Sequence, residues 1–331
     1  MSKKTVLGQF YTKENSWLLQ HIYEFILQSQ ATVIYDPFAG NGHLLKALSF
    51  LPVLTFVGLD IDPSNGWTLN DSLQQIPPLK DAIIITNPPY ISSYSAARKH
   101  LLSPMNQYFE ASEYNDLYLI ALDKMLEAQD DVVAIVPESF INSNYKGKNR
   151  LRMITILEIN PFHDTDVPVC VVCFDKHNKS FEDIKVFKNE QYLFPLATLE
   201  NHRLVPTQKI DISFNVVDGW LALRAVDSTN PLFQIRFDHK ECIDYDWQKG
   251  IKISSRLFSL IEVSVPIHRQ DEFIDALNQR LQDLRCITFD TILSPFKGNM
   301  KNGVRRRRLD YKTARALIEE VHNTLFHHGV Q

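Results

Sequence analysis

Short apolar runs, each closed by an acid, a proline or a glycine cluster, recur through the first ninety or so residues: Val33-Ile34-Tyr35-Asp36, Phe56-Val57-Gly58-Leu59-Asp60 and Ala82-Ile83-Ile84-Ile85. Runs of this length, rich in β-branched residues, predict buried strands of a parallel sheet. Before and between them the period changes to that of a helix. Leu18, Ile22, Phe25 and Ile26 fall on one helical face, and Thr12 is placed to cap that helix; His43 to Phe50 is a shorter helical pattern stopped by Pro52. Strand, glycine turn, helix and strand in that order predict an α/β fold of nucleotide-binding type. Further on, Val169 to Phe174 reads as another strand, and Phe273, Leu277, Leu281 and Leu284 mark a later helix.

Polar residues at the strand ends carry the candidate chemistry. Ligands of open α/β sheets bind beyond the carboxyl ends of the strands. After the first strand comes Pro37-Phe38-Ala39-Gly40-Asn41-Gly42, where Gly40 and Gly42 let backbone approach a ligand with helix N–H groups behind it. The second strand ends in Asp60, the position that would bond ribose hydroxyls, and Asp71 follows. The third runs into Asn87-Pro88-Pro89-Tyr90. Two prolines stiffen this backbone and remove two N–H donors. The Asn87 side-chain oxygen and the Pro88 carbonyl are then acceptors beside the flat Tyr90 ring, a set suited to a planar amine.

Composition narrows the class. The chain has 331 residues, 44% hydrophobic and 22% charged, enough for one large domain and a smaller one. No stretch approaches eighteen consecutive apolar residues and the start carries no apolar signal core, so a cytoplasmic protein without a membrane span is expected. Four cysteines give no disulfide framework. Cys170 and Cys173 form a CxxC inside an alternating strand, so no metal site is expected. The net charge of -4 is unevenly spread: from Pro295 to Gln331 there are eight Lys and Arg against three Asp and Glu. Lys297, Lys301 and Arg305, Arg306, Arg307 and Arg308 lie on a Gly-containing loop before a helical pattern, the expected footprint for nucleic-acid phosphates, with the alternative of a solvated basic segment.

In sequence, Gly8-Gln9-Phe10-Tyr11-Thr12, Asp36 to Gly42, Asp60, Asp71 and Asn87 to Tyr90 resemble the DNA adenine-N6 methyltransferases of bacterial type II restriction-modification systems, in the gamma-class motif order. The resemblance covers roughly residues 5 to 177. It implies a Rossmann-like class I methyltransferase fold, a mostly parallel seven-stranded sheet, over residues 1–185, and a smaller DNA target-recognition domain over 186–331. Tyr114 to Leu126 resembles the helix after the catalytic loop, Val132 to Pro137 the fifth strand, and Ile154 to Ile159 with Val169 to Phe174 the last two strands.

The implied cofactor is S-adenosyl-L-methionine. Phe10, Tyr11 and Thr12 would lie along its methionine moiety, with Asp36, Phe38, Gly40, Gly42 and Asn87 near it, Asp60 and Ile61 at the ribose, and Asp71 and Ser72 at the adenine edge. Asn87, Pro88, Pro89, Tyr90 and Phe162 would form the catalytic site, acceptors holding an adenine flipped from duplex DNA and the two rings stacking on it. Phe162 stands alone among polar residues in Asn160-Pro161-Phe162-His163-Asp164 and reads as a loop ring. Cytosine N4, an RNA adenine and a protein glutamine amide remain alternative acceptors, as does a binding protein that keeps the fold without activity. Double-stranded DNA is the expected partner, and any cognate restriction endonuclease would be a separate protein.

Overall fold

The structure, a computed structural model, describes residues 16–51, 55–98, 102–162, 165–252 and 257–326. By contacts it divides into two compact units, Met1–Ala197 and Thr198–Gln331.

The first unit is built on one sheet. Its strands are β1 (Val33–Asp36), β2 (Thr55–Asp60), β3 (Thr68–Leu69), β4 (Ala82–Thr86), β5 (Val132–Pro137), β6 (Leu151–Ile156), β7 (Val169–Phe174), β8 (Lys185–Lys188) and β9 (Gln191–Pro195). They lie in the order β3-β2-β1-β4-β5-β7-β6-β8-β9. The first five run parallel, and β7 is antiparallel to both β5 and β6. This is the Rossmann-like sheet the sequence predicts, with two strands more than the expected seven. β8 pairs parallel to β6 and β9 returns antiparallel, so the sheet continues past residue 185 and the compact unit ends at Ala197.

Strand order reverses between β1 and β4, which places the ends of β1, β2 and β4 side by side. Alternation sorts the side chains: Ile34, Ile83, Ile85, Val133 and Ile135 enter one core cluster with Trp17, Ile22 and Phe25. The last two lie on α1 (Gln20–Gln28). That helix begins later than the Thr12 cap would require: Leu19 holds the cap position in extended backbone, without a side-chain cap bond, and Thr12 lies outside the described residues. The glycine turn leads into α2 (His43–Ala47). After β4 come α3 (Ser93–Arg98), α4 (Leu102–Glu110) and α5 (Leu117–Ala128), the last apolar nearly all round and accordingly buried through Leu117 to Leu122. Cys170 and Cys173 are buried strand residues.

The second unit holds a sheet of order β10-β13-β11-β12, from β10 (Ile212–Phe214), β11 (Leu221–Arg224), β12 (Arg236–His239) and β13 (Phe258–Val263). The predicted later helix is α6 (Gln270–Ile287), with Phe273, Leu277, Leu281 and Leu284 buried as the period requires. A two-stranded ribbon follows, β14 (Ser294–Asn299) with β15 (Arg305–Arg308), and then α7 (Tyr311–Phe326). The basic segment is therefore strand, not loop. Gly298 and Gly303, at φ 73° and 85°, make the bulge and turn that let so charged a ribbon fold back on itself.

At the centre of this unit Asp227 is fully buried. Its carboxylate accepts two bonds of 3.2 Å from the buried Arg285 guanidinium, one of 2.9 Å from the Ile235 N–H and one of 3.0 Å from the Arg307 N–H. One acid thus ties α6, β15 and the approach to β12 together. Removing it strands two backbone donors and takes one of the two carboxylates from the buried Arg285 guanidinium, which keeps Asp290 at 2.6 Å. Asp227→Ala is expected to cost about 3–5 kcal/mol in denaturant unfolding; a loss below about 1 kcal/mol would mean the neighbours find other partners.

Candidate active site

The first unit brings four of the sequence-marked segments to one edge. Asp36 ends β1 and is buried. Its Oδ1 accepts the Phe38 N–H at 3.0 Å and the Thr86 hydroxyl at 2.5 Å. Burial pushes its carboxyl up to about 7, against the two hydrogen bonds, with the charge of Asp60 adding to the rise. Thr86 ends β4, so this bond joins the glycine turn to the residue before Asn87.

Asp60 ends β2 and is also buried. It holds the turn from the other side: Oδ2 accepts the Gly40 N–H and Oδ1 the Asp62 N–H, both at 2.7 Å. The sequence reading gives Asp60 to a ribose, but its nearest work is internal, and any ligand hydroxyl must use its remaining lone pairs. Ile61 beside it is 56% exposed. A Cβ added at Gly40 would meet nothing within 4 Å, so the turn faces open space there.

Trp67 is the residue that sequence reading missed. Its indole N–H donates to the Gly40 carbonyl at 2.9 Å. The ring fills the room left by two glycines: an added Cβ would come within 2.7 Å of it at Gly42 and 2.5 Å at Gly58. The sequence signal was a lone Trp between Asp60 and Asp71 and a glycine, Gly58, inside an apolar strand run that has no need of one.

Asp71 is bridged to a distant helix. Its Oδ1 accepts the Leu73 N–H at 3.2 Å, and Oδ2 accepts the Gln74 amide and the Tyr108 hydroxyl, each at 2.7 Å. Ser72 is buried and accepts from Asn70. Tyr108 lies on α4, and burial followed by the Asp71 bond pushes its hydroxyl up to about 12. Nothing in the sequence marked it.

Asn87 and Pro89 are half-buried and Pro88 buried directly after β4. Tyr90 donates its hydroxyl to the Ile135 carbonyl on β5 at 2.6 Å, and burial drives its phenol well above the ordinary value. Phe162 departs from the expectation of a loop ring. It is 4% exposed and belongs to the core cluster, because the Asn160 side chain turns the segment inward by accepting the Phe162 N–H and donating to Thr165 and Val167 carbonyls. Tyr90 and Phe162 meet edge to face, centroids 6.2 Å apart at 66°, rather than face to face across a slot. Phe10, Tyr11 and Thr12 lie outside the described residues.

The basic residues of the second unit are not equivalent. Arg307 is buried, Arg306 donates to the Asp227 carbonyl at 2.7 Å with its guanidinium 4.9 Å over the Phe296 ring, and Arg305 and Arg308 are half-buried. Among the six basic residues that the sequence marks here, Lys297 and Lys301, near the ribbon tip, are the exposed ones. Strand alternation on a ribbon buries Arg307 between less buried neighbours, and Lys301 lies in the turn between the two strands. No group of three or more His, Cys, Asp or Glu among the described residues is placed to hold a metal, and none of their helices is long and apolar enough to cross a membrane.

Residues 81–167, which contain the Asn-Pro-Pro-Tyr turn and Phe162, match the Eco57I restriction-modification methylase family. No curated protein matches the chain. Among solved structures, it is similar to a protein assigned to the class I S-adenosylmethionine-dependent methyltransferases from Listeria monocytogenes, at 14% identity and TM-score 0.41, covering 55% of this chain and 66% of that one. It is also similar to the type I restriction-modification system methyltransferase subunit from Streptococcus thermophilus, at 16% identity and TM-score 0.41, over 59% and 52%. A third is a modification subunit assigned to a type I restriction enzyme from Vibrio vulnificus YJ016, at 16% identity and TM-score 0.40, over 55% and 47%. The chain thus spans about half to two thirds of the length of these structures. At such identities their activities do not transfer to it.

Asp36 makes stability depend on pH in a defined window. Folded, it keeps its proton up to about 7; unfolded, it gives it up near 3.8. The folded state therefore binds more protons between these values, so the stability contributed is complete below the lower value and lost as pH rises through the upper. Asp36→Asn keeps the oxygen that accepts from Phe38 and Thr86. Unfolding midpoints measured from pH 4 to 8 are expected to decline less in this variant; an unchanged profile would place the titration elsewhere.

Proposed function

We propose that the protein is an S-adenosylmethionine-dependent DNA methyltransferase of restriction-modification type that methylates the N6 amine of adenine. The observation that carries the reading is the placement of Asn87-Pro88-Pro89-Tyr90 at the end of β4, beside the glycine turn at the end of β1, where the strand order reverses. The match over residues 81–167 supports methylation and a DNA substrate. The first unit is the catalytic domain in this reading and the second the target-recognition domain.

The residues present suit the cofactor. S-adenosylmethionine carries an ammonium, a sulfonium, ribose hydroxyls and an adenine amine, and the ends of β1 and β2 and the segment after β3 offer three acids to its donor groups. Asp36 with the Phe38 and Gly42 backbone would hold the methionine end, Asp60 and Ile61 the ribose, and Asp71 with Ser72 the adenine edge, with Phe10, Tyr11 and Thr12 completing the methionine side. Open space at Gly40 gives the ligand room. When bound, the cofactor supplies an electrophilic methyl group, and no covalent protein intermediate is needed.

What the chain's own residues add is positioning. The Asn87 oxygen and the Pro88 carbonyl accept from the target amine, which draws its lone pair out of conjugation and stabilises the positive charge that develops on transfer. Tyr90 offers a ring to the base, its orientation set by the bond to Ile135. Flipping a base out of the duplex costs a few kcal/mol and stacking on one ring returns about 1–3 kcal/mol. Phe162 supports Tyr90 by its edge and would become a second stacking face only if the two rings part. On the second unit, Lys297 and Lys301 are the leading phosphate contacts, with the half-buried Arg305, Arg306 and Arg308 behind them and Arg307 structural.

Incubation with labelled S-adenosylmethionine and DNA, followed by nucleoside identification, is expected to yield N6-methyladenine; label in cytosine, RNA or protein instead would replace the acceptor. Asn87→Ala is expected to lower turnover by about 10²–10³ while cofactor affinity by calorimetry stays near the parent's. Near-normal turnover would remove Asn87 from the site. Lys297→Ala with Lys301→Ala is expected to reduce the slope of log affinity against log salt by about 0.9 per lysine and leave the methylated sequence unchanged. An unaltered slope would clear the ribbon tip of phosphate contact.

A further inference from the structure

Beside the basic ribbon the second unit carries an apolar point that the fold does not bury. Leu232 is 85% exposed and Phe233 50% exposed, at the apex of the segment between β11 and β12. Single exposed apolar residues are ordinary. Here the apex is held rigid by polar bonds. The Asn230 side chain accepts the Leu232 N–H at 3.1 Å, its carbonyl accepts the Phe233 N–H at 3.0 Å, and Ser228 donates its N–H to the Phe233 carbonyl at 2.8 Å. The base of the loop is the buried Asp227, which takes the Ile235 N–H.

The surroundings are cationic. The Lys301 N–H donates to the Thr229 carbonyl at 2.8 Å, which fastens the loop to the ribbon near its tip. Arg306 donates to the Asp227 carbonyl at the loop's other end. The Arg224 guanidinium sits 5.4 Å over the Phe233 ring and 4.8 Å over that of Phe258, so one face of Phe233 is braced while the rest is open to solvent. A stiff apolar apex flanked by lysine and arginine complements a polyanion with a stacked apolar interior. Apolar side chains enter duplex DNA by inserting between base steps, while cations beside them hold the phosphates.

We propose that Leu232 and Phe233 form a wedge that enters duplex DNA at the target site and occupies the stack opened when the base is extruded. The inference rests on the DNA methyltransferase reading and adds to it the element that opens the helix. The wedge lowers the cost of extrusion and takes no part in methyl transfer itself. Its contribution is needed only where the target base is paired and stacked.

The test compares two short duplexes carrying a site first mapped on methylated plasmid DNA: one fully paired, the other lacking the base opposite the target. Leu232→Ser with Phe233→Ser is expected to lower methylation of the paired duplex by roughly ten- to a hundredfold, the range lost when a stacking side chain is truncated. On the duplex without the opposing base it is expected to work at close to the parent's rate. With 2-aminopurine at the target, the fluorescence rise that reports extrusion should be lost only for the paired duplex. Both positions are exposed, so the unfolding midpoint should hold. Equal loss on both duplexes, or no loss on either, overturns the wedge while the parent's activity leaves the enzyme reading standing. A parent that methylates neither duplex nor plasmid overturns the enzyme reading itself.

Discussion

Gly40 is the residue on which the geometry of the first unit turns, because both of its backbone polar groups are held by side chains from elsewhere. Its N–H goes to Asp60 at the end of β2 and its carbonyl receives the indole N–H of Trp67. A turn at φ 51° with no side chain of its own has little to fix it. Gripped from both sides, it presents open backbone in front and rigid support behind. The adjacent Gly42 and Gly58 are small because the gripping ring lies against them. Asp60 is accordingly a structural acid first, and whatever it offers a ligand is offered from a position its own turn dictates.

Much of this was legible in the chain. Strands ending in Asp36, in Asp60 and just before Asn87 could be read from short apolar runs, since a buried parallel strand has no polar face to disguise it. Their adjacency followed from strand order, which the alternation of elements implies. What could not be read were bonds between distant segments. Tyr108 reaches Asp71 across 37 positions, and only the packing of α4 makes it a neighbour. Phe162 looked like a loop ring because its flanks are polar, yet those polar groups are spent on folding the segment inward.

The second unit shows the same limit in its charges. A run of four arginines suggests a uniform basic surface, but β15 sends neighbouring side chains to opposite faces, and Arg307 is buried where its backbone meets Asp227. The acid that organises this region is 80 positions earlier, between Val226 and Ser228, with nothing in its local sequence to distinguish it. Of the six basic residues read as one footprint, the exposed ones are the two lysines, Lys297 and Lys301.

The hydrogen bond from Thr86 to Asp36 crosses the seam where the strand order reverses, and Thr86 is followed immediately by Asn87. A single short bond therefore separates the groups that would face cofactor from those that would face the acceptor. In the proposed reading this bond connects the two groups directly, and linkage then requires that whatever one occupant does for the affinity of the other is returned in equal measure. In that reading demethylated cofactor, which lacks the sulfonium charge, differs from fresh cofactor at an acid that is bonded to the residue next to Asn87.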